Sequence, residues 1–205
     1  MAKKYYAVRK GLETGIFEDW DTCRIMVAGY SGAEYKSFKS LSEAEAYMGT
    51  TNATTSVPTI DSVISEPTST TAVAYVDGSY VDGAFSYGAV IAHNSELVKL
   101  SQKMTDTDLA TMHNVAGEIK GAEAAIQYAV EHDCKDVWIY YDYNGIELWA
   151  TGEWKAKKSG TQEYKAFCDS MRDKIEIHFV KVKGHSGDKY NDMADLLAKQ
   201  ALGLS

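Results

Sequence analysis

The chain is 205 residues long, 45% hydrophobic and 24% charged, an ordinary globular composition with enough apolar residues to bury a core. It contains no run of 18 apolar residues, and its start, MAKKYYAVRK, holds no apolar stretch of leader length, so a soluble, cytoplasmic protein without membrane contact is expected. The net charge of −8 argues against a simple polyanion binder, but it is zero over residues 1–50, −2 over 51–70 and −6 over 71–205, and acids neutralised by metal ions leave such a partner open. Cys23, Cys134 and Cys168 lie far apart, are odd in number and form no CxxC pair. They read as buried thiols in a reducing compartment.

In chain order, residues 1–49 form a first small module. It opens on the strand-like KYYAVRKG, turns at Gly11 and continues through GIFEDW, a helix from Asp21 and an extended AEYKSFKS. A last helix, SLSEAEAYM, begins with a capping box at Ser42 and Glu45. Aromatic and basic residues mix here: Tyr5, Tyr6, Arg9, Lys10, Trp20, Tyr35, Lys36, Phe38 and Lys39. About half of the aromatics are needed as core. The others, beside lysines, suit stacking on sugars or bases with phosphates close by.

Residues 50–71, TTNATTSVPTIDSVISEPTSTT, are rich in Thr and Ser and hold both prolines, Pro58 and Pro67. With few large apolar residues and no sustained period, the segment reads as an extended flexible linker.

Residues 72–205 form the larger module. TAVAYVDGS, AFSYGAVIAHN and ELVKLSQKM read as an antiparallel meander, followed by a long helix, NVAGEIKGAEAAIQYAVEHD. DVWIYYD is a buried strand, YNGIELWATG and TQEYKAFCDSMRD are helical, IEIHFVKVK is a strand, and the helix YNDMADLLAKQALG closes the chain after the loop GHSGDK. The class is α/β, helices covering one mixed sheet.

Asp77 and Asp142 each end a strand, and Glu118 sits near the start of the long helix. Singly, each has a structural explanation: a turn cap for the aspartates, the helix dipole for Glu118. Together they match the way ligands gather at the carboxyl ends of neighbouring strands. On the last helix Tyr190, Ala194, Leu197, Ala198 and Ala201 share a core-facing stripe, Asp192 points away, and Asp195 lies on the border on the side of Asn191. Carboxylates so crowded raise one another's pKa values unless cations intervene, and an all-oxygen set suits Mg²⁺ or Mn²⁺. Two such ions activate a water and stabilise the leaving oxygen of a phosphodiester. His185, between two glycines before the last helix, fits a mobile proton carrier as well as a structural role.

YVDGS, NVAGE, YYDYN and VKGHSGDKYNDMADLLA, in this order, resemble type I ribonuclease H across residues 71–205. YYAVRKGLETGIFEDW with AEYKSF resembles the RNA/DNA hybrid-binding, viroplasmin-like domain that precedes many such enzymes. The resemblance implies a ribonuclease H-like mixed five-stranded sheet with helices on both faces, behind a small α+β hybrid-binding domain. It implies a monomeric endoribonuclease that cuts the RNA strand of RNA/DNA hybrids with two Mg²⁺ ions, Mn²⁺ substituting, and leaves 5′-phosphate and 3′-hydroxyl ends. By motif, Asp77, Glu118, Asp142 and Asp195 are metal ligands and His185 assists proton transfer or product release. Gly78, Ser79, Asn114 and Asn144 match readers of RNA 2′-hydroxyls, Trp20 and Tyr35 match aromatics packed on DNA sugars, and Tyr6 and Lys36 match phosphate contacts. The basic protrusion of many bacterial relatives is here the shorter LWATGEWKAKKSGTQEY, in which Trp149 reads as helix packing and Trp154, Lys155, Lys157 and Lys158 as possible substrate contacts.

Overall fold

The structure is a computed structural model that describes residues 4–30, 32–40, 44, 47–48, 57–66, 68–184 and 187–204. Two compact units divide the chain, Met1–Ser56 and Val57–Ser205.

In the first unit β1 (Tyr5–Lys10) pairs antiparallel with β2 (Gly15–Phe17) and β3 (Glu34–Phe38), giving the order β2-β1-β3. Helix α1 (Trp20–Val27) connects β2 to β3. It starts because Asp19 caps it, accepting from the Thr22 backbone N–H and hydroxyl, both at 2.8 Å. Ala7, Val8 and Cys23 are fully buried. The capping box expected at Ser42 and Glu45 lies outside the described residues.

The second unit is built on a five-stranded mixed sheet in the order β6-β5-β4-β7-β8. β4 (Thr71–Val81), β5 (Ala84–His93) and β6 (Glu96–Met104) form the expected meander. β7 (Asp136–Tyr141) runs parallel to β4, and β8 (Glu176–Lys181) parallel to β7. The helices are α2 (Ile60–Ser65), α3 (Thr107–Ala110), α4 (Asn114–Glu131), α5 (Gly145–Thr151), α6 (Ser159–Met171) and α7 (Lys189–Ala201). Among the described residues no helix is long and apolar enough to cross a membrane.

Alternation along β4 builds both faces of the core. Ala72, Ala74 and Val76 point into a cluster with Ile119, Ala122 and Ile126 of α4, while Val73 and Tyr75 point into a second with Ala194 of α7. A strand covered on both faces has no solvent side, so its apolar run is continuous. α4 is able to approach closely because two glycines meet. A Cβ on Gly78 would lie 2.0 Å from the Asn114 carbonyl oxygen, and one on Gly117 would lie 2.0 Å from that of Ser86.

The segment 50–71 differs from the expected linker. Residues 50–56 and 67 lie outside the described residues, but α2 is helical and closed by a capping box between Thr59 and Ser62. Ile60 and Val63, three residues apart, are buried against the face that carries α7, and β4 begins at Thr71. Two well-placed apolar residues anchor a segment whose average composition looks unstructured.

Candidate active site

Parallel pairing of β4 and β7 sets two aspartates level. The register ends with Tyr75 opposite Tyr140, so Asp77 and Asp142 follow two residues later, side by side; Asp142 directly follows β7, whereas Asp77, expected to end its strand, lies inside β4, which stays paired with β5 as far as Val81. Asp77 is bound locally, its Oδ1 accepting from the Gly78 N–H at 2.7 Å. The glycine contact of β4 with α4 sets Glu118 beside them, and Glu118 is 2% exposed. Its Oε1 accepts from the backbone N–H groups of Asp142 and Tyr143, both at 3.2 Å. Burial drives the Glu118 pKa well above the usual carboxylate range; the negative charges of Asp142 and Asp77 push the same way, against the two N–H donors. The loop after β8 crosses the same spot, since a Cβ on Gly184 would lie 2.4 Å from Asp142 Oδ2.

The last helix turns as its periodicity predicts. Tyr190, Asn191, Ala194 and Ala198 are buried, Asp192 is exposed and Asp195 is half-buried. Asp195 Oδ2 accepts from Lys199 Nζ at 2.7 Å, one turn further on. This bond raises the Lys199 pKa, with a smaller contribution from Asp77, so Lys199 joins Asp195 to Asp77, which in turn acts on Glu118 together with Asp142. Lys199 carries no motif signal, but its i,i+4 spacing from Asp195 is visible in the sequence.

As they stand, the acids form an electrostatic cluster and not a closed cage. Among the described residues no group of three His, Cys, Asp or Glu side chains could hold a metal ion, with Asp195 drawn to Lys199 and Glu118 held by amides. The donors nevertheless suit a hard divalent cation. They are all oxygen, their crowding destabilises the ionised state, and Asn191 Oδ1, one turn before Asp195, is buried without a hydrogen-bond donor. His185 lies outside the described residues.

Around the acids, Gly78 and Asn114 touch through the close approach of α4, and Ser79 is buried. Asn144, before α5, has its Oδ1 bound by Lys181 Nζ. A groove of about 440 Å³ lies alongside, lined by His113, Tyr143, Trp149, Lys155, Lys157 and Lys158 among others. Tyr143, Trp149 and Trp154 form an aromatic group with ring centroids 5.7–6.5 Å apart. Trp149 also packs on the core, as expected, while Trp154 is exposed. His113 lines this groove with a strained backbone, φ 54°, and its ring tilts against that of Tyr80 with centroids 4.5 Å apart. No local pattern in the sequence announces such a φ.

In the first unit Trp20 bridges Tyr6 and Tyr35, with centroids at 5.6 and 5.9 Å. Trp20 and Tyr35 are exposed. Lys36 is not with them: alternation along β3 turns it to the opposite face, where its ammonium lies over Phe38.

Comparison with known proteins agrees with this geometry. Residues 4–48 match the family described as the ribonuclease H1 N-terminal domain, and residues 69–203 match RNase H. A ribonuclease H of Saccharomyces cerevisiae is 50% identical over 50 residues, which are 24% of this chain and 14% of that protein. One from Crithidia fasciculata is 50% identical over 48 residues, 10% of its length. The match thus spans a small part of these two relatives. A ribonuclease H of Francisella philomiragia is 32% identical over 144 residues, covering 63% of this chain and 90% of that one. Among solved structures, the N-terminal RNase H domain of a Mycobacterium tuberculosis protein superposes with a TM-score of 0.56 at 21% identity, covering 65% of this chain and 94% of that one. The LC11-RNase H1 in complex with an RNA/DNA hybrid gives 0.51 at 16%, covering 64% and 99%. With the matched family spanning well over half of its length, the chain belongs to the ribonuclease H family.

Proposed function

We propose that this protein is an endoribonuclease that hydrolyses the RNA strand of RNA/DNA hybrids with two Mg²⁺ ions, leaving 5′-phosphate and 3′-hydroxyl ends. The observation that carries the reading is the convergence of Asp77 of β4, Asp142 directly after β7 and Glu118 of α4, with Asp195 of α7 joined to Asp77 through Lys199. Asp77, Glu118, Asp142 and Asp195 hold the metal, which when bound supplies an ionised water and neutralises the charge that develops on the leaving oxygen. The chain's own groups do the rest. The amides of Asp142 and Tyr143 fix Glu118, and the close packing of α4 on Gly78 brings Asn114 to Gly78 and Ser79, which with Asn144 would read a ribose 2′-hydroxyl. His185, in this reading, moves a proton or eases product release.

Three lysines and a tryptophan in the neighbouring groove give this acidic unit a local basic surface for a phosphate backbone. The Tyr6–Trp20–Tyr35 set gives the first unit a stacking surface. The protein works as a cytoplasmic monomer in this reading.

The test is cleavage of a strand-labelled RNA/DNA hybrid beside matched RNA/RNA and DNA/DNA duplexes, in Mg²⁺ and in EDTA. Metal-dependent cutting confined to the RNA strand of the hybrid is expected, and its loss in Asp77→Asn without a drop in melting temperature. Hybrid binding without cutting would make the protein a binding factor, and cutting of the DNA duplex alone would change the substrate.

A further inference from the structure

We propose that residues 57–66 form a strap that positions helix α7, and with it the Asp195 carboxylate, through the hydrogen bond between Asp61 and Tyr190. The inference rests on the reading of Asp195 as a metal ligand.

The strap is an addition to the domain common to the family. The two family matches cover residues 4–48 and 69–203 and leave it out. It is nevertheless part of the second unit. Ile60 and Val63 of α2 are buried in one cluster with Tyr75 of β4, Tyr140 of β7 and Tyr190 and Ala194 of α7. The rings of Tyr75 and Tyr140 are stacked at 4.4 Å, and Tyr190 tilts against Tyr75 at 5.8 Å.

Polar ties give this packing a direction. Tyr140 donates its hydroxyl to the Pro58 carbonyl at 2.9 Å, and Ser95 donates to the Ile64 carbonyl at 3.1 Å, so the strap is fastened to the sheet. From that fixed position Asp61 accepts the hydroxyl of Tyr190, in the first turn of α7. Asp188, which begins that turn, accepts from the N–H groups of Tyr190 and Asn191 at 3.0 and 3.2 Å and faces the Tyr75 hydroxyl at 3.5 Å. Besides Asp61, the Tyr190 hydroxyl meets Lys189 Nζ at 3.3 Å. An ammonium only donates, so of these two partners Asp61 is the one that accepts the hydroxyl's hydrogen bond.

Tyr190 lies five residues, about 7.5 Å of helix rise, before Asp195. Release of the first turn lets α7 shift along its groove by a fraction of a turn, and ligand geometry tolerates only tenths of an ångström.

Asp61→Ala and Tyr190→Phe in the full-length protein, with the double variant, test this. Mg²⁺ binding is measured by titration calorimetry on the protein alone, and kcat and KM on the hybrid across Mg²⁺ concentrations. Each single variant is expected to bind Mg²⁺ about three- to tenfold more weakly, the size of an ordinary hydrogen bond's net contribution. Its kcat recovers at high Mg²⁺ and KM for the hybrid stays within about twofold, since no contact to the duplex is removed. The double variant is no worse than either single, and Asp61→Asn, which keeps an acceptor oxygen, recovers most of the affinity. Tyr190→Phe retains the ring, so folding is preserved even if Asp61→Ala unfolds the strap. Unchanged Mg²⁺ affinity in both folded variants of a hybrid-cutting enzyme, or additive losses, would overturn the strap alone. A wild-type protein that binds Mg²⁺ without cutting hybrids overturns the proposed reaction and leaves the calorimetric test standing. One that binds no Mg²⁺ overturns both.

Discussion

Glu118 is the residue on which cost and function conflict most openly. Its carboxyl is buried beside two other acids, and two amides at 3.2 Å on one oxygen are its compensation. With a folded-state pKa above the unfolded one, the folded protein holds a proton that the unfolded chain has already released, so stability falls as pH rises between the two values. The stabilising contribution of protonated Glu118 is therefore fully present below the unfolded pKa of about 4.3 and lost as pH rises through the folded value. Glu118→Gln removes this dependence while keeping an acceptor for the amides. In EDTA at neutral pH the variant is expected to melt about 2–4 °C above wild type, for about 1 kcal/mol in a unit of this size, and to cut no hybrid. The difference shrinks towards pH 4 and when Mg²⁺ stabilises the wild type. Scanning calorimetry at pH 4, 6 and 8 checks it; a variant that melts lower than wild type at every pH would mean that the site is satisfied without cations.

At the scale of elements, what was legible in the sequence had a period. The meander, the long helix and the Tyr190–Ala194–Ala198 stripe follow from alternation at two or near four residues, and the stripe already separates Asp195 from Asp192. The two aspartates were legible as residues, though β4 runs on past Asp77 to Val81, and β-sheet register makes Asp77 and Asp142 level. Features held by tertiary contact were not. α2 is one short helix whose two buried residues are diluted among Ser, Thr and Pro. The φ of His113 is imposed where α3 gives way to α4. Lys36 shows the converse: its place beside Tyr35 in the sequence is what sends it to the other face of β3. The revised view of residues 57–66 has a direct check. Ile60→Ala removes a fully buried side chain and is expected to destabilise the second unit by about 2–4 kcal/mol. The change is read from chemical denaturation followed by fluorescence, whereas a segment that is merely a linker would leave the midpoint where it was.

For the whole molecule, the division of charge suggests a division of labour. The first module has no net charge but carries exposed Trp20 and Tyr35, while residues 71–205 carry −6 and gather Lys155, Lys157 and Lys158 along one groove. An acidic unit approaching a duplex gains less from counterion release, so holding it near the substrate through a second binding module raises its local concentration without altering the reacting groups. What can serve as the tether ends at Ser56, because the residues beyond belong to the second unit; a shorter tether raises effective concentration as long as it spans the two binding positions. Deleting residues 1–50 is therefore expected to raise KM for long hybrids by about tenfold or more, within the range that linked binding modules supply, and to leave kcat at saturating hybrid within about twofold. On a hybrid too short to seat both modules, the truncated and full-length proteins should perform alike. Steady-state kinetics on both substrate lengths decides it. A drop in kcat on the short hybrid would show that residues 1–50 contribute to the chemical step or to folding of the second unit, and equal KM values on the long one would leave the module without a share in holding it.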